Sequence, residues 1–157
     1  MKETTLSLLF KGGEILLAMK KRGFGAGRWN DAGGKFDAQK GDKNIFDAVM
    51  RETKEEIGVS LIGPERVGVL RFRFQCNPEW DQNAHVFLAK KWAGVPKESE
   101  EMAPKWFKFQ DIPYKNMWPD DIHWMPHILQ GEKMEADFLF GEGDKILDYS
   151  IKVVEEI

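Results

Sequence analysis

The sequence has a single cysteine, Cys76, and no long run of apolar residues. A lone cysteine excludes an intramolecular disulfide and a cysteine-rich zinc site, and it is typical of a reducing compartment. No segment approaches the roughly twenty apolar residues that a membrane-spanning helix needs. Residues 1–10 also lack the basic and apolar regions of a secretory signal. We therefore expect a cytoplasmic protein that does not enter a membrane.

An excess of positive charge is also missing, because the formal net charge is -3 at pH 7. Proteins that hold a long nucleic acid neutralise its phosphates with Lys and Arg, so the acidic balance argues against such a partner. A small anionic substrate that enters with a metal cation remains allowed. The sequence has no linker or internal repeat, and its 157 residues are the size of one domain. We expect a single domain over residues 1–157 and a monomer.

The pattern of apolar residues predicts a mixed sheet with two helices. Apolar runs over residues 4–10 and 14–20, separated by two glycines, predict an opening β-hairpin. Residues 21–41 contain too many glycines for regular structure, apart from a short strand at 34–36. Further strands are predicted at 66–75, 83–92, 105–109, 134–140 and 145–154, and helices at 44–58 and 119–130, the second broken or kinked before Pro126. This combination is an α+β fold with a mixed β-sheet sandwiched between helices.

The first predicted helix carries a cluster of carboxylates. Glu52, Glu55 and Glu56 are three and four residues apart, which places them on one helix face. Three like charges repel one another unless a cation lies between them, and carboxylate oxygens favour magnesium, manganese or calcium over zinc. Such cations neutralise a phosphate chain and activate water, as hydrolysis of a diphosphate requires. The alternative is a solvated acidic helix face paired with Lys54 and its neighbours.

The residues around this cluster resemble the signature of the Nudix hydrolase family. Gly34 lies upstream, Arg51-Glu52 begins the cluster and Gly58 closes it, as in the pattern G-x5-E-x7-R-E-x-x-E-E-x-G. Two features depart from that pattern. The segment from Gly34 to Arg51 is three residues longer, and Asp42 is the acid nearest to the first acidic position. The resemblance implies a Nudix fold and a Mg²⁺-dependent hydrolase, with Mn²⁺ as the alternative metal.

The same resemblance implies roles for individual residues. The metal ligands would be the backbone carbonyl of Gly34 and the side chains of Glu52, Glu55, Glu56 and Glu101. Arg51 would orient Glu52 or Glu55 rather than contact the substrate. One of the glutamates would deprotonate the attacking water, and the sequence leaves open which one. Glu101 is equally well explained as a loop carboxylate within the acidic segment 98–101.

Segments outside the signature resemble the MutT-homologue branch of this family, known from animals. They include residues 19–30, residues 118–121 and residues 146–149. That branch hydrolyses 8-oxo-dGTP and 2-hydroxy-dATP to the monophosphate and pyrophosphate, which sanitises the nucleotide pool and prevents DNA damage. The resemblance implies a base pocket formed by Asn30, Trp118, Asp120 and Asp121, with Phe24, Thr5 and Phe72 lining it.

The chemistry of these residues supports the same assignment. Adjacent carboxyl groups beside a base cannot both ionise at low cost, so Asp120 and Asp121 would share a proton and offer a donor and an acceptor. A shift of that proton would let one pocket hold an oxidised guanine or an oxidised adenine. Trp118 can stack on a base, and Asn30 can offer a paired donor and acceptor. The alternative for residues 118–121 is a helix start, where the helix dipole favours aspartates.

Some alternatives stay open. Lys20 lies with Arg28 in a basic segment that is either solvated or, at Lys20, directed at a triphosphate. Asp31-Ala32 stands where the animal enzymes carry a glycine and a bulky aromatic residue, which predicts a wider or more polar pocket. One rival function is a Nudix hydrolase acting on a dinucleoside polyphosphate or capped RNA. Another is a nucleotide-binding sensor without turnover, motivated by the longer segment before Arg51.

Overall fold

The computed structural model describes residues 1–157 and contains ten β-strands and two α-helices. The strands are β1 (Lys2–Lys11), β2 (Glu14–Lys20), β3 (Trp29–Asn30), β4 (Ser60–Leu61), β5 (Glu65–Phe74), β6 (Gln82–Ala89), β7 (Trp92–Ala93), β8 (Met102–Lys108), β9 (Lys133–Phe140) and β10 (Ile146–Val154). The helices are α1 (Ile45–Ile57) and α2 (Asp121–Leu129). Neither helix has the length and apolar character needed to cross a membrane.

Eight of the strands form one mixed sheet in the order β10-β9-β5-β6-β1-β2-β3, with β8 also paired to β2. β1 runs parallel to β6, and β5 runs parallel to β9. β1 and β2 pair only beside their hairpin turn, at Phe10–Ile15 and Lys11–Glu14. Farther from the turn, residues 32 and 35 make single bridges to β1 in the place of β2. The sheet is therefore open between β1 and β2, and this opening holds the site described below.

Hydrophobic side chains pack on both faces of the sheet. Successive residues of a strand point to opposite faces, and Leu8 and Leu9 of β1 accordingly belong to two different core clusters. The first cluster includes Trp124 of α2, and the second includes Val49 of α1. Each helix therefore covers one face, which confirms the predicted α+β fold with a mixed sheet between helices.

α1 begins and ends at residues that satisfy its terminal backbone groups. The side chain of Asn44 accepts a hydrogen bond from the backbone N–H of Asp47 at 2.9 Å. Gly58 ends the helix in the left-handed conformation, with φ 77°, which glycine adopts without steric cost. Thr53 faces the sheet, where its hydroxyl donates to Ser7 of β1 at 3.0 Å. The predicted helix at 44–58 is confirmed, and its acidic face borders the opening beside β1.

Two local predictions were wrong, and a third is decided only in part. No regular strand forms at 34–36, because residues 32 and 35 pair with β1 only through single antiparallel bridges, and the short strand is instead β3, paired with β2. The strand predicted over 83–92 ends at Ala89, and the residues of β7 pair with β4 instead. The helix that was predicted to be broken or kinked before Pro126 is not broken, because α2 continues through Pro126; the kink stays a prediction.

Candidate active site

An open polar groove lies between α1 and the segments 33–40 and 98–101. None of its lining residues is hydrophobic. The groove is lined by Lys20, Arg22, Gly33, Gly34, Lys35, Asp37, Lys40, Glu52, Glu55, Glu56, Ser99, Glu100 and Glu101. All the residues predicted as metal ligands therefore border one groove, and Glu101 reaches it from a loop that is distant from α1 in the sequence.

Arg51 connects the carboxylates of α1 to one another. Its Nη1 atom donates to Glu52 at 2.8 Å and to Glu55 at 3.3 Å. Its Nη2 atom donates to the backbone carbonyl of Lys35 at 3.0 Å. This hydrogen bond links α1 to the segment that bridges to β1. Arg51 lines neither the groove nor the adjoining cavity. Its position agrees with an orienting role for the guanidinium.

Asp42 lies in the longer segment between Gly34 and Arg51 and links that segment to α1. Its side chain is only 2% exposed, and its two carboxyl oxygens accept hydrogen bonds from Arg51 at 2.9 and 2.7 Å. The backbone N–H of Asp37 donates to the same carboxylate at 2.9 Å. The hydrogen bonds from Arg51 hold the pKa of Asp42 below its usual value, and the same pairing raises the pKa of Arg51. Asp42 thus braces the segment that carries the extra residues.

Glu56 is the buried member of the glutamate cluster. It is 6% exposed, whereas the side chains of Glu55 and Glu101 are 47% and 44% exposed. Burial raises the pKa of Glu56 to about 8, the positive charge of Lys20 opposes that shift, and the charges of Glu52 and Glu101 add to it. A carboxyl group in this position binds either a proton or a cation.

The donor atoms of the groove fit a hard divalent cation, which prefers carboxylate and carbonyl oxygens. Gly34 packs so closely on Glu52 that a Cβ atom there would lie 2.4 Å from the Glu52 carboxyl carbon. Only glycine therefore lets this carboxylate lie against the backbone. No three acidic, histidine or cysteine side chains converge closely enough to enclose an ion. The glutamates line the groove without meeting at one point.

Gly33 and Gly34 direct their carbonyl groups differently. The carbonyl of Gly34 accepts hydrogen bonds from the N–H and the hydroxyl of Thr5, at 2.8 and 3.2 Å. The carbonyl of Gly33 accepts no hydrogen bond. Gly33 lies so close to β1 that a Cβ atom would be 2.0 Å from the Thr5 carbonyl oxygen, and its φ is 150°. Of the two carbonyls, that of Gly33 is the one left for a ligand.

A cavity of about 340 Å³ adjoins the groove. This volume lies within the range of small-molecule sites. Its aromatic lining consists of Phe24, Phe72, Phe74, Trp80, Trp118 and Phe140. The residues that line both the cavity and the groove are Lys20, Gly33, Gly34, Lys35 and Glu56. One extended ligand can therefore occupy both spaces, with a flat group in the cavity and an anionic group in the groove.

The structure brings all the residues predicted for the base pocket to this cavity. They are Thr5, Phe24, Asn30, Phe72, Trp118, Asp120 and Asp121. Lys20, which was predicted to approach the triphosphate, lines both the cavity and the groove. The Phe24 and Trp118 ring centroids are 4.9 Å apart. The guanidinium carbon of Arg28 lies 4.2 Å from the Trp118 ring centroid, and Arg28 also pairs with Asp144 at 3.1 Å. Arg28 is thus bound to the cavity wall rather than solvated.

Asn30 offers less hydrogen-bonding capacity than its sequence position predicted. Its amide nitrogen donates to the carbonyls of Arg28 and Gly25, at 2.9 and 3.4 Å. Both amide hydrogens are then used within the chain. Only the carbonyl oxygen of the side chain remains for a ligand, so Asn30 contributes an acceptor rather than a paired donor and acceptor.

Asp120 and Asp121 are 3% and 6% exposed. The Asp120 carboxylate accepts a hydrogen bond from the indole N–H of Trp124 at 2.8 Å. Burial raises the pKa of Asp120 to about 6. Burial and the nearby charges of Asp120 and Asp31 raise the pKa of Asp121 well above its usual value. The raised pKa values favour a proton shared by the pair, in agreement with the donor and acceptor expected from two adjacent carboxyl groups.

Sequence reasoning did not identify Trp80 and Phe140 as cavity residues, and it placed Asp31 in the pocket region without giving it a role. Asp31 was visible only as a polar residue that departs from the animal pattern. Trp80 follows β5 and Phe140 ends β9, and no local sequence pattern connects these positions to the signature. The parallel pairing of β5 with β9, a long-range feature, sets Phe140 opposite Phe74, and Trp80 packs on Phe74 from the turn after β5.

The mixed sheet carries an acidic helix beside a polar groove, with an aromatic cavity next to it, and this arrangement suits a metal-dependent hydrolase that holds a phosphate chain. The chain belongs to the Nudix family, because the NUDIX domain model matches residues 3–128. Nudix hydrolases generally use divalent metal ions.

Two curated relatives match nearly the whole chain. The chain is 45% identical over 151 residues to the oxidized purine nucleoside triphosphate hydrolase of Mus musculus, covering 96% of this chain and 94% of that protein. It is 40% identical over 153 residues to the protein of the same name from Danio rerio, covering 98% and 96%. The fold is similar to that of the mutator MutT protein from Bacillus halodurans, with a TM-score of 0.84, 24% identity, and coverage of 97% and 98%.

Proposed function

We propose that this chain hydrolyses oxidised purine nucleoside triphosphates, such as 8-oxo-dGTP and 2-hydroxy-dATP, to the monophosphate and pyrophosphate. The observation that carries the proposal is the continuity between an aromatic, carboxyl-bearing cavity and a polar groove lined by glutamates. The relatives from mouse and zebrafish, which match nearly the whole chain, are named for hydrolysis of oxidised purine triphosphates. Such hydrolysis would keep damaged purines out of DNA.

In this proposal the phosphate chain lies in the groove and the metal is Mg²⁺. Its ligands would be Glu52, Glu55, Glu56, Glu101 and a backbone carbonyl, that of Gly33 being better placed than that of Gly34. When bound, the cation neutralises phosphate charge and lowers the pKa of a bound water. Lys20, 3.9 Å from Glu101, would donate a hydrogen bond to a phosphate oxygen. One of the four glutamates would accept the proton of the attacking water.

The base would lie in the cavity. Trp118 would contact one flat face of the base, and Phe24, Thr5 and Phe72 would line the cavity around it. The Asp120-Asp121 pair, buried and partly protonated, would offer a donor and an acceptor to the base edge. Moving the proton between the two carboxyl groups exchanges donor and acceptor. This exchange would allow one cavity to bind both 8-oxoguanine and 2-hydroxyadenine.

The proposal is tested by pyrophosphate release in the presence of Mg²⁺. The substrates are 8-oxo-dGTP, 2-hydroxy-dATP, dGTP, dATP and a diadenosine polyphosphate, at equal low concentrations so that the rates report kcat/KM. We expect the two oxidised purines to be preferred. Equal rates for normal and oxidised purines would overturn the substrate assignment. Preferred cleavage of the diadenosine compound would favour the rival dinucleotide hydrolase.

A nucleotide-binding sensor without turnover is the second rival, motivated by the longer segment before Arg51. The bidentate pairing of Asp42 with Arg51 argues against it, because it closes that segment onto α1. Tight nucleotide binding with no pyrophosphate release would support the sensor. We also propose a single-domain monomer in the cytoplasm, for which sedimentation and fractionation are the tests.

A further inference from the structure

Asp31 has an unmet hydrogen-bonding requirement beside the cavity. It directly follows β3, is 7% exposed, and lines the cavity together with Asp120 and Asp121. Its Oδ1 atom is buried without a hydrogen-bond partner, a condition shared by only one other side-chain atom, Oδ1 of Asn83. Asn83 does not line the cavity. A buried polar atom without a partner costs about 1–3 kcal/mol, so a ligand that supplies the partner is favoured.

Asp31 shares the cavity with three other carboxyl groups and with Lys2, Lys20 and Lys35. Asp31, Asp120 and Asp121 form no ion pair within 4.0 Å. Burial raises the pKa of Tyr114, and the charges of Asp121 and Asp31 add to that rise. The positive charge that acts on these carboxyl groups is that of Arg28, through Asp120.

This arrangement suits an uncharged group with more than one N–H donor. The Asn30 side chain adds a further acceptor, since its own amide hydrogens are used by the backbone. An exocyclic amino group carries two N–H donors and no charge, so it can donate to two acceptors at once. A carbonyl oxygen, or a ring nitrogen that carries no hydrogen, is itself an acceptor. It would therefore be repelled by these acceptors, except where a carboxyl group holds a proton.

We propose that Asp31 is a base-recognition residue that accepts a hydrogen bond from an exocyclic amino group of the purine. It acts with Asp120 and Asp121 and selects bases that carry an amino group over bases that lack one. The inference rests on the proposed function only in that the ligand is a purine nucleotide. It adds a specificity determinant that lies outside the signature residues of α1.

The test uses three deoxynucleoside triphosphates with the same ring system: unsubstituted purine, 6-aminopurine and 2-aminopurine. For the wild type we expect kcat/KM for one amino-bearing base to exceed that for unsubstituted purine by about tenfold or more. In Asp31→Ala this preference should fall about tenfold. Asp31→Asn, which keeps a carbonyl acceptor, should retain part of it. A purely structural role of Asp31 would lower all three rates together and leave their ratios unchanged.

Binding of the corresponding monophosphates without metal, followed by tryptophan fluorescence, separates this inference from the proposed function. Asp137→Ala is the control, because Asp137 pairs with Arg71 on the sheet and lies outside the cavity. A binding preference that depends on Asp31, without turnover, would overturn the proposed hydrolysis and support Asp31. Turnover with the same base preference in wild type and Asp31→Ala would overturn the role of Asp31. Absence of both binding and turnover would overturn both.

Discussion

The groove and the cavity both depend on carboxyl groups, but they hold them in different states. The groove carboxylates Glu52 and Glu55 form ion pairs with Arg51. In the cavity, Asp31 and Asp121 are buried without an ion pair, and their pKa values are raised. Carboxylates beside cations stay ionised, whereas buried carboxyl groups without cations retain protons. The same functional group can therefore serve cation binding in one region and hydrogen bonding to a base in the other.

Glu56 lies where the two regions meet and gives the largest expected effect. Glu56→Gln should lower kcat by about 10²–10⁴-fold, since it removes either a metal ligand or the acceptor of the water proton. The free energy of unfolding should stay the same or rise, because a buried carboxyl group is replaced by a neutral amide of the same size. Pyrophosphate release and urea unfolding at pH 7 provide the two measurements.

Glu65→Gln is the matched control for Glu56→Gln, because Glu65 is exposed and pairs only with Lys133. It should leave kcat unchanged. Normal turnover in Glu56→Gln would exclude Glu56 from catalysis, whereas a parallel loss of stability and activity would indicate a structural role. Either result would contradict a catalytic role for Glu56 at the boundary between the groove and the cavity.

Asp42→Ala tests the ionised side of the comparison. It leaves Arg51 without its buried bidentate partner, so we expect a loss of about 3 kcal/mol in the free energy of unfolding at pH 7. The folded-state pKa of Asp42 is lowered from 3.8, so this stabilisation is fully present above pH 3.8. It disappears as the pH falls through the lowered pKa, and wild type and variant should converge there. Removing the exposed Asp137 carboxylate from its pair with Arg71 should cost under about 1 kcal/mol.

Asp121→Asn tests the protonated side. Asparagine fixes one donor and one acceptor, and it prevents the exchange that a shared proton permits. We expect the ratio of kcat/KM for 8-oxo-dGTP to that for 2-hydroxy-dATP to change about tenfold or more, and Asp120→Asn to shift it in the opposite direction. Unchanged ratios in both variants would show that proton exchange between these aspartates does not decide base selection.

The two regions also differ in how far the sequence predicts them. α1 was predicted at 44–58 and observed at Ile45–Ile57, because its caps and the three-to-four spacing of its glutamates are local signals. The candidate cavity residues on α2 and in the loops were reached only through the family resemblance. Trp80 and Phe140 were missed, since the pairing of distant strands sets Phe140 opposite Phe74, on which Trp80 packs.

The direction of the Gly34 carbonyl shows the same limit within the signature itself. The sequence favoured this carbonyl as a ligand, but the hydrogen bonds from Thr5, 29 positions earlier, engage it. That contact depends on the close approach of Gly33 to β1. Local spacing predicted which residues border the groove, while long-range packing determined which of their atoms face a ligand.

Asp31→Asn tests the raised pKa in the cavity through the pH dependence of the free energy of unfolding. The folded state retains a proton on Asp31 up to about pH 8, whereas the unfolded chain releases it near its ordinary pKa of 3.8. The stability that this group contributes is therefore fully present below pH 3.8 and lost as the pH rises towards 8, by at most about 1.4 kcal/mol per pH unit. The variant does not titrate, so it should gain stability relative to wild type across this window. Parallel unfolding free energies over the same range would contradict a raised pKa at Asp31.

Arg28→Gln gives the smallest expected effect and tests a cation on the cavity side. Arg28 lies 4.2 Å from the Trp118 ring centroid and pairs with Asp144, and such a cation–π contact contributes about 0.5–1 kcal/mol at a partly exposed site. If Arg28 holds the indole in place for the base, KM should rise about two- to fivefold with kcat unchanged. Because the charge of Arg28 also lowers the pKa of Asp120, the rise should differ between 8-oxo-dGTP and 2-hydroxy-dATP. A fall in KM would mean that Arg28 competes with the base for the ring.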